Sequence, residues 1–149
     1  MAARYAIVVA RFYVEVADRL VASARGVFES DGAEGIDVFD VPGAFELPLA
    51  ALYVAQTGRY RGIACLGAVI RGQTDHYRYV CTEAARGIQD VQLRTSVPCA
   101  FGVLTVESMD QALERAGGRK RDHGAQAAHA VLTLANLRDA LAAPESPSA

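Results

Sequence analysis

Four short apolar runs, residues 5–10 (YAIVVA), 36–41 (IDVFDV), 62–70 (GIACLGAVI) and 97–105 (VPCAFGVLT), alternate with stretches whose apolar positions recur at helical spacing. No other feature restricts the chain as much. Connections this short between strand and helix favour right-handed crossovers, which build a parallel sheet with helices on both faces. Residues 62–70 carry no charged or amide side chain, a pattern that suits a strand covered on both sides. The 36–41 run alternates apolar and acidic residues and is expected to have one side less covered. Ligands of such sheets collect outside the carboxyl ends of the strands. The segments RFY, PGAFE, RGQTDH and FGVLTVES fall at or near those ends, so a site is expected there.

The first helix is expected from Val14, with Ala17, Leu20, Val21, Ala24, Val27 and Phe28 on its stripe and Ser30, Asp31 and Gly32 ending it. A second spans 45–56, with Pro48 early enough to be accommodated, and Gly58 closes it. A third starts at His76 after a cap by Thr74 or Asp75 and runs to about residue 93. Ser108 caps a short helix at 109–116, which Gly117 and Gly118 break, and the basic segment RKRDHG leads into an alanine-rich helix at 125–142. Residues 1–143 are expected to form one domain, because 149 residues bury about 70% of their unfolded surface in a single core. Residues 144–149 (PESPSA) are expected to be a disordered tail.

With a net charge of −2, the chain has no electrostatic case for binding nucleic acid or an anionic membrane. The apolar run near the N-terminus is too short for a signal peptide and no stretch is long enough to span a bilayer, which points to the cytoplasm. Cys65, Cys81 and Cys99 are odd in number and lack CxxC spacing, so buried reduced thiols are expected. His123 and His129 have no partners at metal-ligand spacing, and no P-loop or GxGxxG occurs, so no metal is assigned. Asp37 and Asp40 lie on the second strand, which argues against a phosphoacceptor domain.

Each candidate residue has two readings. Phe12 stacks on a planar heterocycle or staples the start of the first helix to the core. Glu46 binds a hydroxyl or merely favours the helix dipole. His76, at a helix N-terminus that disfavours imidazolium, exchanges protons as a neutral imidazole or is a simple surface histidine. Arg71 holds an anion or pairs with Glu46 or Glu83. Arg115, placed inside its helix, holds an anion or belongs to a solvated basic end with Arg119, Lys120 and Arg121. Free amide N–H groups at the start of the third helix make the RGQTDH loop an anion site in outline.

Together the segments ARF, VPGAFELPLA, CLGAVIRGQTDHYRYV, EAARGI, PCAFGVLTVES and QALERAG resemble the lumazine synthase family, in the same order and over nearly the whole chain. VPGAFE with GAVIRGxTxH is the most specific part. The resemblance implies an α/β, flavodoxin-like three-layer α/β/α sandwich with a four-stranded parallel sheet. It also implies a transferase of riboflavin biosynthesis, with no cofactor and no metal. The substrates would be 5-amino-6-(D-ribitylamino)uracil and 3,4-dihydroxy-2-butanone 4-phosphate, joined in active sites between neighbouring subunits of a homopentamer or of multiples of pentamers.

Carried onto this chain, the family's pattern gives Phe12 the pyrimidine to stack on. The backbone of Ala44 and the carboxylate of Glu46 would hold the ribityl chain, with Phe45 also against the ribitylaminouracil, while Ala68, Val69 and Ile70 would read the pyrimidine edge through main-chain groups. Gln73 and Thr74 would bind the phosphate and His76 would donate the proton. Phe101 and Arg115 would come from the adjacent subunit, with Arg115 on the phosphate. Two positions depart from the family's pattern. Tyr13 stands where Asn is common after the stacking aromatic, and His123, preceded by Asp122, stands where a lysine is usual, which weakens the local positive charge and leaves the phosphate to Arg115, with Arg119 or Lys120 as compensation. The alternative is a non-catalytic relative that binds flavin or lumazine or builds a shell. GGRKRDHG, the segment that helps decide between pentamers, decamers and sixty-subunit shells, leaves all three open.

Overall fold

The structure is a computed structural model and describes residues 3–118 and 121–145. Arg119, Lys120 and residues 146–149 of the expected tail lie outside the described residues. Along the chain run β1 (Arg4–Ala10), α1 (Val14–Ser30), β2 (Gly35–Val41), a 3-10 turn (Ala44–Glu46), α2 (Leu47–Gln56), β3 (Gly62–Ile70), α3 (His76–Thr95), β4 (Cys99–Val106), α4 (Met109–Arg115) and α5 (His123–Ala142). The strands pair in parallel in the order β2-β1-β3-β4. This is the flavodoxin-like α/β/α arrangement, and it reverses direction between β1 and β3.

Alternation along the central strands sorts the core into two clusters. Tyr5, Ile7 and Val9 of β1, with Ala64 and Leu66 of β3, pack against α1, α4 and α5; Tyr5 lies flat on Phe28, ring centres 4.5 Å apart. Ala6 and Val8, with Ile63 and Cys65, face α2 and α3 on the other side. Because β1 and β3 have helices on both faces, they are almost wholly buried, as their unbroken apolar runs require. At the sheet edge β2 is only partly covered, and Asp37 there accepts from the Tyr60 hydroxyl at 2.6 Å and from Arg4 at 2.8 Å. Those two donors, Tyr60 first, hold the Asp37 carboxyl below its ordinary range.

Several boundaries differ from expectation. The 45–56 stretch opens as a 3-10 turn and becomes an α-helix only at Leu47, which leaves Pro48 at the second helical position, where it is harmless. β4 begins at Cys99 rather than Val97, since Pro98 has no N–H for the ladder and contributes only its carbonyl, to Ile63 N at 2.8 Å. α4 ends at Arg115, making that residue terminal rather than internal. α5 starts at His123, two residues early, because the Asp122 carboxylate accepts from Ala125 N at 3.2 Å and caps it. Cys65 and Cys99 are buried free thiols as expected, whereas Cys81 is only partly buried. Among the described residues no helix is long and apolar enough to cross a membrane.

Candidate active site

A groove of about 630 Å³ opens at the carboxyl ends of β1, β2 and β3, where the strand order reverses. Three of the four segments expected to meet there do so, supplying Phe12 and Tyr13, Gly43 to Glu46, and Ala68 to Ile70 with Gly72 and Thr74. The fourth, at β4, faces elsewhere. β1 and β3 approach closely below the groove: a Cβ on Gly67 would stand 2.9 Å from that of Ala10, so a side chain there would wedge the two strands apart.

Phe12 is 74% exposed, its ring edge-on to Tyr13 at 4.9 Å. The staple reading therefore fails, and Tyr13 is the ring that packs against the core. Phe45 is likewise exposed on the groove wall, while Ala44 beneath it is buried. Glu46 Oε1 accepts the Gly43 amide at 3.1 Å, so part of its carboxylate closes the turn that carries Phe45.

The RGQTDH loop is exposed from Arg71 through His76. Asp75 occupies the cap position of α3 without a side-chain bond, contrary to one expectation, while the Thr74 hydroxyl takes the His76 amide at 3.4 Å. No acidic side chain sits within the first turn, whose N–H groups have no acceptor within the helix, so the positive end of α3 borders the groove with only the Asp75 carboxylate at the cap position beside it. His76 lines this wall, beside Tyr77, Tyr79 and Val80. Gln73 is exposed and outside the lining. Arg71 pairs with neither Glu46 nor Glu83. Its Nε donates to Glu107 at 3.0 Å and its guanidinium lies 4.7 Å from the Tyr77 ring centre.

Phe101 and Arg115 stand away from the groove along the free edge of β4. Phe101, 41% exposed, borders a cleft of about 280 Å³ between α3 and α5, with Gln92 and His123. Arg115 borders a second cleft of similar size with Thr105, Glu107, Gln111 and Arg121. His123 lines both clefts, with its Nδ1 buried and unpartnered. The same Asp122 oxygen that caps α5 also accepts from the Gly117 amide at 3.2 Å, so this carboxylate ties the end of α4 to the start of α5 and its negative charge stays at the corner.

Tyr77 and Tyr79 are groove residues that the sequence reading did not assign to the site. Their signal was present in two amphipathic rings immediately after the loop expected to bind an anion. Among the described residues no group of three His, Cys, Asp or Glu stands close enough to hold a metal ion.

The sequence model of the 6,7-dimethyl-8-ribityllumazine synthase family matches residues 2–139. A relative from Desulfatibacillum aliphaticivorans, named 6,7-dimethyl-8-ribityllumazine synthase, is 44% identical over 138 residues, which is 91% of this chain and 89% of the relative.

Proposed function

The chain belongs to the 6,7-dimethyl-8-ribityllumazine synthase family, and from that premise we propose that the groove at the β1/β3 reversal is where its two substrates meet. The enzyme is a transferase of riboflavin biosynthesis. It condenses 5-amino-6-(D-ribitylamino)uracil with 3,4-dihydroxy-2-butanone 4-phosphate to give 6,7-dimethyl-8-ribityllumazine, phosphate and water. The observation that carries the assignment of the groove is the convergence of an exposed aromatic face, main-chain groups of a strand end, and the N-terminus of a 20-residue helix bearing His76.

In this reading the Phe12 ring covers the pyrimidine, the backbone of Ala68, Val69 and Ile70 meets its polar edge, and Ala44, Phe45 and Glu46 hold the ribityl chain. The phosphate sits at the start of α3 against Gln73 and Thr74, where amide donors and the helix dipole favour an anion. The amine adds to the ketone, water leaves to form an imine, phosphate is eliminated, and the ring closes with loss of the last water. His76 moves protons in these steps. Holding the two molecules in register contributes about 7 to 11 kcal/mol to the rate, more than any single proton transfer.

The enzyme works as a homopentamer or a multiple of it, with Phe101 and Arg115 completing a neighbour's groove. The separation of their clefts from the groove of their own chain supports this, as do the exposed apolar residues Leu49 and Tyr53 of α2 and Leu134 and Leu137 of α5. Three free thiols suit the reducing cytoplasm.

The test is the rise of lumazine absorbance when the purified protein meets both substrates. A protein-dependent rate that falls in His76→Ala and Arg115→Ala is expected. A rate equal to the uncatalysed background, with flavin still bound, would replace the enzyme with a binding protein.

A further inference from the structure

Every residue of the loop between β3 and α3, from Arg71 to His76, is exposed in the single chain, yet this loop must hold Thr74 and His76 in place. Arg71 ties it down. Its amide donates to the Val106 carbonyl at 2.9 Å, its Nε donates to Glu107 Oε1 at 3.0 Å, and its guanidinium covers the Tyr77 ring at 4.7 Å. Both partners are themselves anchored. Tyr77 is half-buried with Thr105 and Cys81 beside its phenol, and the Glu107 amide donates to Gln111 Oε1 at 2.8 Å. One guanidinium thus spans the exit of β3, the first turn of α3 and the corner between β4 and α4, bracing both ends of the loop. Arg71 itself is absent from the groove lining, whereas Tyr77 belongs to it.

We propose that Arg71 is a positioning residue, which sets where Thr74 and His76 stand by locking the loop between Glu107 and Tyr77. The proposal rests on the groove being the site of condensation. A solvent-exposed ion pair adds little to global stability, but a displacement of about 1 Å at a reacting group can cost a hundredfold in rate, so the clamp acts on geometry rather than on folding. Arginine is required because a lysine cannot lie flat on a ring and donate from a fixed fork at once.

Arg71→Ala, Arg71→Lys and Glu107→Ala are each expected to lower kcat about tenfold. The KM for the ribitylaminouracil should stay within about twofold, and the melting temperature within about 4 °C of wild type. The Arg71→Ala/Glu107→Ala double variant should be no slower than either single, because both remove one interaction. Amide hydrogen exchange at residues 72–76 should accelerate in all of them. Multiplying losses, or a wild-type kcat in Glu107→Ala, would mean that Arg71 acts on substrate directly and would overturn the proposal, as would unchanged exchange. Exchange reads the clamp without reference to catalysis. A wild-type rate in His76→Ala would instead sink the assignment of the groove and leave the clamp to be judged on exchange alone.

Discussion

At the scale of single residues, His76 is the group whose chemistry the groove exposes most plainly, being the first residue of α3, open to solvent and on the groove wall. Proximity carries most of the work when two bound molecules condense, so His76→Ala should slow kcat on the order of a hundredfold and leave measurable turnover at saturating substrates. Complete loss of turnover with both substrates still bound would reverse that ranking. A different residue contributes to behaviour in alkali. Burial pushes the Cys99 thiol from 9.0 up to about 12, and burial, with Cys99 nearby, pushes Cys65 well above its ordinary value too. A thiol whose folded pKa is raised favours the native state fully below its unfolded value and loses that advantage as pH climbs. Between pH 9 and about 12 the Cys99 contribution therefore falls by about 1.4 kcal/mol per pH unit. Urea midpoints taken at pH 8 and 10.5 should differ less in Cys99→Ala than in wild type, and equal differences would mean that the thiol is not desolvated as the packing indicates.

At the scale of elements, the contact between α1 and α5 depends on Gly124, which is buried in the first turn of α5. A Cβ there would run into the Leu20 carbonyl oxygen of α1 and stand 3.1 Å from the Leu20 Cα. Alanine is the better helix former by about 1 kcal/mol, but the obstacle is rigid backbone, and overpacking of this kind costs about 1 to 3 kcal/mol. Gly124→Ala should lower the urea midpoint with the slope unchanged, and a raised midpoint would show that the helices can part cheaply. The same helix marks the limit of what the sequence disclosed. β1 and β3 were legible because a strand covered on both faces writes its burial as an unbroken apolar run. The start of α5 was obscured by the basic residues before it, which read as a linker, although Asp122 is an ordinary cap. Arg71 was harder still. Its partner Glu107 lies 36 residues on, at the exit of the neighbouring strand, and only the strand order brings the two together. Phe12 was readable as a candidate but not as exposed, because whether it or Tyr13 turns inward is decided by packing against α1 rather than by local pattern.

At the scale of the molecule, a single chain does not bring together the residues proposed for one site. His76 faces one groove, and Arg115 borders a different cleft across the edge of β4. If each groove is completed by a neighbour, the two residues of a working site come from different subunits, and two damaged proteins can repair one another. Arg115→Ala and His76→Ala, each nearly inactive at low butanone phosphate, should regain activity when unfolded together and refolded as a mixture. In randomly assembled equimolar rings a groove is intact only when an Arg115 variant donates His76 and the adjacent His76 variant donates Arg115. That arrangement occurs at about one interface in four, so about a quarter of the wild-type rate should return. The mixed particles should weigh about 79 kDa, five chains of 15.8 kDa, or a multiple of that mass. Activity no higher than the mean of the two variants, in particles of that mass, would place His76 and Arg115 in the service of one chain and remove the reason for the clefts along β4 to face a neighbour.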